Sequence, residues 1–200
     1  MRIGVFGGTF DPPHLAHLIL AEEAHFQLDL ERILWVLTPV SPLKPDVQIS
    51  PWQQRVELLE AALVDNPKFT ISRVDIDRAA PHYAFETLRI LGESFPDDDI
   101  VLLIGGDSMR DLPQWEKPEE LLSNCKQIGV MRRPGAEIDM PELEQLIPGL
   151  NRKVKWVDAP LLEISGRLIR KRLRLGEPVR YFLPDEVYQL IKSKNLYRFD

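Results

Sequence analysis

The chain has 200 residues, 44% of them hydrophobic and 28% charged, and its formal net charge is −6 at pH 7. This length and composition predict one globular domain over residues 1–200, with residues 160–200 as a C-terminal helical subdomain. The acidic balance argues against a protein that binds nucleic acid through bulk positive charge, and it leaves room for a local basic pocket that holds a small anion.

Short apolar runs alternate with helix-forming stretches along the whole chain. The apolar runs predict strands at 2–6, 33–39, 69–76, 99–107, 127–133 and 153–157. Helical spacing and helix-start signals predict helices from Leu15 to Phe26 and at 50–65, 82–95, 118–124, 139–147, 165–175 and 184–194. In the second of these helices, Ser50 is the predicted N-cap and Pro51 the first helical residue.

The alternation of strands and helices predicts an α/β protein whose mainly parallel sheet is covered by helices on both faces. The last two helices have no strand between them, and we expect them to form a small helical cap. In such sheets, ligands bind beyond the carboxyl ends of the strands. Three unusual segments fall at predicted strand ends, namely GGTFDPPH, TPVSPLK and GGDS.

The cysteine content and the length of the apolar runs indicate the cellular compartment in which the protein is expected. Cys125 is the one cysteine of the chain, so no internal disulfide can form, which is typical of a reducing cytosol. It lacks metal or redox spacing, and we interpret it as a buried or idle thiol. No stretch approaches the roughly 20 apolar residues of a membrane span, and the first apolar run is shorter than a signal-peptide core. We therefore expect a cytoplasmic protein without membrane contact.

The segment GGTFDPPHLAH, residues 7–17, carries the first chemical signal. A glycine pair after a strand lets backbone approach a ligand closely, and the following helix start offers unpaired N–H groups to an anion. His14 and His17 are three residues apart, so both can face one side and donate hydrogen bonds to phosphate oxygens. A zinc site is the weaker interpretation, because H-x-x-H here lacks a glutamate and a further ligand. An accidental loop with two surface histidines is the remaining alternative.

Two segments resemble the signatures of the nucleotidyltransferase superfamily. GGTFDPPHLAH is similar to G-x-F-x-P-x-H-x-G-H, with Ala16 where glycine is usual, and ISGRLIR, residues 164–170, is similar to I-S-S-T-x-I-R. In the second segment, Gly166 and Arg167 replace a serine and a threonine, and the role of Arg167 stays open. The resemblance implies a Rossmann-like, doubly wound fold and transfer of a nucleotidyl group from ATP or CTP. Ser165 can cap a helix there.

Further segments resemble the bacterial nicotinate-nucleotide adenylyltransferases. TPVSPLK is similar to their P-x-x-x-P-x-K loop, IGGDSMRDLPQW to G-A-D-S…L-x-x-W, RRPG to their R-P-G turn and HYAFETL to S-Y-T-x-D-T-L. Together with the two signatures, these segments cover nearly the whole chain. The resemblance implies an enzyme that joins nicotinate mononucleotide to ATP, giving nicotinate adenine dinucleotide and pyrophosphate, with Mg²⁺ carried by the ATP and no dedicated metal site.

The resemblance also implies a set of site residues. Those expected to act in catalysis are His14, His17, Lys44 and Arg170. Those expected to bind ATP are Gly7, Gly8, Thr9, Phe10, His17, Gly105, Asp107, Ile164, Ser165 and Arg170. Those expected to bind the mononucleotide are Lys44, Arg55, Tyr83, Ala84, Asp107, Trp115 and Arg133, with the nicotinate ring stacked on Trp115.

Several alternatives stay open. Arg55 could equally be a solvated helix residue, and Asp107 a helix cap. Ala84 stands where these enzymes have a threonine, which leaves the choice between the acid and the amide mononucleotide unsettled. Another acceptor, nicotinamide mononucleotide or phosphopantetheine, is the nearest rival function, and a non-catalytic nucleotide-binding regulator is the rival from another class. The oligomeric state is open, and a homodimer is one possibility.

Overall fold

A six-stranded parallel sheet forms the centre of the molecule, in a computed structural model that describes residues 1–40, 42, 49–132, 138–160 and 162–197. The strands are β1 (Arg2–Gly8), β2 (Arg32–Leu37), β3 (Phe69–Ser72), β4 (Asp99–Gly105), β5 (Gln127–Met131) and β6 (Val154–Val157). Their order is β3-β2-β1-β4-β5-β6, and every neighbouring pair is parallel. The predicted α/β, doubly wound fold is therefore confirmed.

Helices connect the strands and cover both faces of the sheet. They are α1 (Leu15–Gln27), α2 (Trp52–Leu63), α3 (Ala84–Ser94), α4 (Gly106–Arg110), α5 (Pro118–Ser123), α6 (Met140–Leu146), α7 (Leu150–Lys153), α8 (Gly166–Arg174) and α9 (Asp185–Ser193). Short 3₁₀ turns occupy Leu112–Gln114 and Arg180–Phe182. Six strands and seven of these helices were predicted, whereas α4 and α7 were missed because they are too short to show a helical period.

The prediction for the start of α2 is wrong. Pro51, not Ser50, is the N-cap, and Trp52 is the first helical residue. The backbone of Ser50 is used elsewhere, because its N–H donates to Asp11 Oδ2 at 3.1 Å and its carbonyl accepts from Arg55 Nε at 2.8 Å. These contacts hold the residues before α2 against the loop after β1.

Apolar side chains fill the space on both faces of the sheet. Alternate residues of β2 belong to opposite cores, Leu34 and Val36 to one and Ile33, Trp35 and Leu37 to the other. A strand buried on both faces reads as a continuous apolar run, which is what the sequence RILWVL shows. Cys125 lies in the first of these cores, and burial raises the pKa of its thiol to about 11.

The C-terminal helices pack on α2. Ile169 and Leu173 of α8 and Val187 and Ile191 of α9 form a third apolar cluster with Leu58. None of the helices in the described part of the chain combines the length and the apolar composition that a membrane span requires. The separate helical subdomain at 160–200 stays a prediction.

Strand order reverses at the centre of the sheet. From β1 the chain moves outward to β2 and β3, and it then returns to β4 on the other side of β1 before continuing to β5 and β6. In open sheets of this kind, the loops leaving the two central strands diverge and form a crevice at their carboxyl ends. Here those strand ends are Gly8 of β1 and Gly105 of β4.

Candidate active site

A cleft of about 850 Å³ lies at this switch in strand order. Residues from the loop after β1, the start of α3, the segment after β4 and the start of α8 line it. Thirteen predicted site residues are on its walls: Gly7, Gly8, Thr9, Phe10, His14, His17, Tyr83, Ala84, Gly105, Asp107, Trp115, Ser165 and Arg170. Residues from both ends of the chain thus meet at one cavity.

The two histidines are held at the start of α1. His14 is the N-cap and is 1% exposed, and the His17 ring stacks on the His14 ring with centroids 3.6 Å apart and planes at 19°. The backbone N–H of His14 donates to His17 Nδ1 at 3.3 Å. Because Nδ1 accepts this bond, the proton of neutral His17 resides on Nε2. The cap therefore presets His17 as a hydrogen-bond donor through Nε2.

Aromatic packing fixes the loop between β1 and α1. Phe10 adopts a positive φ of 46°, a left-handed conformation that is rare and strained for a bulky residue. Its ring contacts Phe6 at 5.6 Å, His17 at 5.2 Å and Trp35 at 5.1 Å between centroids. This buried packing holds the strained turn in place, and it also supports the imidazole of His17.

Asp11 joins this loop to the end of the chain. Its backbone carbonyl accepts from Arg170 Nη1, and its carboxylate lies 3.5 Å from the same nitrogen. Tyr197 Oη donates to Asp11 Oδ1 at 2.8 Å. Burial and the Asp11 carboxylate together raise the pKa of Tyr197. These contacts set the position of Arg170 at the cleft. Neither Asp11 nor Tyr197 was among the predicted site residues.

The start of α8 comes unusually close to that loop. Ser165 is the predicted N-cap, which is confirmed, since its hydroxyl accepts from the Leu168 N–H at 3.2 Å. A Cβ atom at Gly166 would lie 2.6 Å from the Asp11 carbonyl oxygen, a distance that Cβ atoms do not tolerate. Glycine in place of the usual serine therefore lets α8 approach Asp11. Arg167, the other departure from the motif, lines the cleft.

We expect Gly166→Ala to lower the free energy of unfolding by about 1–3 kcal/mol, because the new methyl group displaces backbone rather than a flexible side chain. Urea denaturation measures the change. Gly92→Ala is the matched control, since Gly92 lies in α3 with open space around its Cβ position, and alanine there is expected to stabilise the helix. Equal free energies of unfolding for Gly166→Ala and wild type would contradict the close approach.

Trp115 and the start of α3 form the other end of the cleft. Trp115 follows the 3₁₀ turn and packs, with Ala84 and Phe85, against the core on one sheet face, whereas Phe6 and Phe10 belong to the core on the opposite face. The cleft therefore crosses the carboxyl edge of the sheet from one face to the other. Its histidine end is suited to phosphate, and its Trp115 end to an aromatic ring.

Buried polar contacts hold the segment before α3. Thr87 Oγ1 donates to Asp75 Oδ1 at 2.7 Å, and Arg78 Nη2 donates to the same oxygen at 3.0 Å. Arg78 also donates to Glu86 and to the carbonyl of Tyr83. Asp107 also lines the cleft and lies in the first turn of α4, where Gly105 is the N-cap, so it is not itself a helix cap.

Arg55 occupies a different place from the predicted one. It is 1% exposed, and its guanidinium donates to the carbonyls of Ser50, Thr9, Thr38 and Pro39 at 2.7–3.0 Å. Burial lowers the pKa of Arg55. Because these hydrogen bonds go to backbone carbonyls, the side chain joins the loops after β1 and β2 to the residues before α2. It is not among the residues that line the cleft. This corrects the expectation that it meets the mononucleotide phosphate, as well as the alternative of a solvated residue.

Three further predicted residues lie away from the cleft wall or outside the described residues. Ile164 packs against the apolar cluster formed by α2, α8 and α9, and so anchors the start of α8. Lys44 and Arg133 fall outside the described residues. Among the residues that are described, no cluster of three or more His, Cys, Asp or Glu side chains is placed to hold a metal ion.

Comparisons with known proteins show the family to which this chain belongs. Residues 5–172 match the family model described as Cytidylyltransferase-like, so the fold and cleft define a nucleotidyltransferase of that class. The chain is 35% identical over 196 residues to nicotinate-nucleotide adenylyltransferase of Bacillus subtilis and 38% identical over 196 residues to a probable nicotinate-nucleotide adenylyltransferase of Roseiflexus, with 98% of each chain covered. The chain belongs to the nicotinate-nucleotide adenylyltransferase family.

Solved structures show the same fold at lower identity. Nicotinic acid mononucleotide adenylyltransferase of Plasmodium falciparum, complexed with NaAD, superposes with a TM-score of 0.77 at 19% identity, covering 98% of this chain and 97% of that one. A putative nicotinate-nucleotide adenylyltransferase of Vibrio parahaemolyticus gives a TM-score of 0.70 at 20% identity, covering 100% of this chain and 98% of that one.

Proposed function

We propose that the protein transfers the adenylyl group of ATP to nicotinate mononucleotide, giving nicotinate adenine dinucleotide and pyrophosphate. The observation that carries this proposal is one cleft holding His14, His17 and Arg170 at one end and Trp115 at the other. Family membership supports the same reaction, since curated relatives at 35–39% identity carry this activity in their names.

The phosphate end of the cleft is suited to a triphosphate. The starts of α1 and α8 both lie on its wall, and helix starts present unpaired N–H groups and a partial positive charge to anions. His17 adds a donor at Nε2, and Arg170 adds a fixed positive charge beside Asp11. Gly8 and Thr9, which are half-buried, line the same cleft. Together they would hold the α- to γ-phosphates of ATP.

The reaction itself asks for alignment and charge stabilisation. The 5′-phosphate of the mononucleotide is ionised at pH 7, so it can attack the α-phosphorus of ATP without a general base. The bond from the α-phosphorus to the bridging oxygen breaks, and pyrophosphate leaves with that electron pair. His14 and His17 would stabilise charge at the α-phosphate, and Arg170 and Lys44 would stabilise the leaving group. Mg²⁺, which enters bound to ATP, would neutralise phosphate oxygens.

Release of pyrophosphate tests this function. Purified protein is incubated with ATP, Mg²⁺ and either nicotinate mononucleotide or nicotinamide mononucleotide, and pyrophosphate is measured over time. We expect rapid release with the acid form and formation of the matching dinucleotide. Tight ATP binding with no release for either mononucleotide would overturn the proposal and favour a nucleotide-binding regulator.

We expect Trp115→Ala to raise KM for the mononucleotide about tenfold, because stacking of a base on an aromatic ring contributes about 1–3 kcal/mol. The KM for ATP is expected to change much less. Steady-state kinetics with one substrate varied at a time measure both values. Trp156→Ala is the control, since Trp156 is a half-buried tryptophan of β6 that does not line the cleft. Equal effects of Trp115→Ala on both substrates would contradict the stacking assignment.

A further inference from the structure

The segment after α9 supplies a hydrogen-bond donor to the buried carboxylate of Asp11. Tyr197 Oη donates to Asp11 Oδ1 at 2.8 Å, and the backbone N–H of Ser50 donates to Asp11 Oδ2 at 3.1 Å. The Asp11 side chain is 1% exposed, so solvent contributes little to satisfying these two oxygens. Each carboxylate oxygen therefore has a neutral donor, one from the residues before α2 and one from the end of the chain.

Arg170 lies beside this carboxylate without closing on it. Its Nη1 is 3.5 Å from Asp11 Oδ2, which is longer than the usual hydrogen-bond range, and the same nitrogen donates to the backbone carbonyl of Asp11. Within the described part of the chain, Nη1 is the nitrogen of Arg170 that donates a hydrogen bond. A guanidinium carries five N–H donors in a planar fork. The remaining donors of Arg170 can therefore serve a phosphate in the cleft that this residue lines.

The hydroxyl of Tyr197 is held as a donor. Burial and the Asp11 carboxylate raise the pKa of Tyr197, and side-chain hydrogen bonds with Ser50 and Gln54 lower it by less, so the hydroxyl keeps its proton at neutral pH. The ring packs against the apolar cluster of α2, α8 and α9. Tyr197 also has a positive φ of 64°, a strained conformation for a bulky residue that persists where the surrounding contacts hold it.

Loss of this hydroxyl would change the balance between Asp11 and Arg170. A buried acceptor that loses its donor is costly, and charges attract one another more strongly in a site that excludes water. Arg170 is the cation that forms an ion pair with Asp11 among the described residues. The carboxylate would therefore satisfy its free oxygen by closing on Arg170, and the guanidinium would turn from the cleft toward Asp11.

We propose that Tyr197 is a positioning residue that, through Asp11, keeps the guanidinium of Arg170 directed at the phosphates of ATP. This inference rests on the proposed adenylyltransferase function, in which Arg170 stabilises the pyrophosphate leaving group. Tyr197 is not among the residues that line the cleft, whereas Asp11 and Arg170 are, so its effect passes through Asp11 and not through contact with substrate.

The first variant is Tyr197→Phe, which removes the hydroxyl and keeps the packed ring. We expect kcat to fall about tenfold, as loss of a hydrogen bond to a charged group predicts, and KM for the mononucleotide to stay near the wild-type value. Tyr188→Phe is the matched control, since Tyr188 lies on α9, packs against the same cluster and does not line the cleft. Its kcat is expected to match wild type. Circular dichroism and urea denaturation establish that both variants are folded.

A double-mutant cycle with Arg170→Ala separates positioning from a general structural role. If Tyr197 acts through Arg170, its hydroxyl has nothing left to position once the guanidinium is gone. The kcat of the double variant is then expected to lie within about twofold of that of Arg170→Ala, a strongly non-additive result. A role in stability alone would lower kcat by the same factor in both backgrounds.

Calorimetry of inorganic pyrophosphate binding, in the presence of Mg²⁺, provides a readout independent of turnover. Tyr197→Phe is expected to weaken pyrophosphate binding about tenfold, and Tyr188→Phe to leave it unchanged. Unchanged kcat and pyrophosphate affinity in folded Tyr197→Phe, or equal losses in both backgrounds of the cycle, would overturn the role of Tyr197 while an active wild type upholds the proposed function. Wild type that releases pyrophosphate with neither mononucleotide would overturn that function and with it this inference.

Discussion

His17→Ala is expected to lower kcat by about 100-fold or more while the protein remains folded. Removal of one preorganised donor to developing transition-state charge typically costs about 10²–10³ in kcat. The structure gives a reason for preorganisation, because the His14 N–H occupies Nδ1 of His17 at 3.3 Å and leaves the proton on Nε2. Contacts with Phe6 and Phe10 restrict the ring further. The donor is thus oriented before substrate arrives.

Pre-steady-state and steady-state rates with ATP and nicotinate mononucleotide measure this effect, and circular dichroism with thermal denaturation establishes that the variant is folded. His25→Ala is the matched control, since it removes a histidine from the same helix away from the cleft, and its kcat is expected to stay near the wild-type value. A folded His17→Ala protein with wild-type kcat would refute the role of His17 in stabilising the transition state.

The fold was predictable because its strands are buried on both faces. A run such as RILWVL in β2 carries six consecutive residues with little polar interruption, and the turn and cap residues between such runs mark the helices. Because strands and helices alternate along the chain, a parallel sheet is the expected arrangement. The residues at which helices begin and end were less predictable. At the start of α2, for example, tertiary contacts of Ser50 compete with its capping propensity.

The phosphate end of the cleft was predictable from local sequence, since a glycine pair, a helix start and two histidines lie within eleven residues. Contacts that depend on the tertiary fold were not predictable. Tyr197 and Asp11 are 186 residues apart, and no local pattern relates them. The close approach of Gly166 to Asp11 likewise becomes visible once α8 is placed beside the first loop. A departure from the family motif thus reflects packing in this chain.

Arg55→Met is expected to lower the free energy of unfolding by about 4 kcal/mol or more. Methionine fills much of the space but donates no hydrogen bond, and it leaves the carbonyls of Thr9, Thr38, Pro39 and Ser50 without their donor. A fully buried acceptor that loses its partner costs about 1–3 kcal/mol, and since these four carbonyls are part-buried, the expected cost is near the lower end of that range for each. Urea denaturation gives the free energy directly.

The matched control is Arg89→Met on α3, where an exposed arginine pairs with Glu93 one turn away. Exposed pairs of this kind contribute about 0.3–0.5 kcal/mol, so little change is expected there. The comparison also separates two roles for Arg55. A phosphate ligand would raise KM for the mononucleotide and leave stability unchanged, whereas a side chain that ties four carbonyls together must destabilise the fold. A free energy of unfolding within about 1 kcal/mol of wild type would reject the structural role, since even one orphaned carbonyl costs that much.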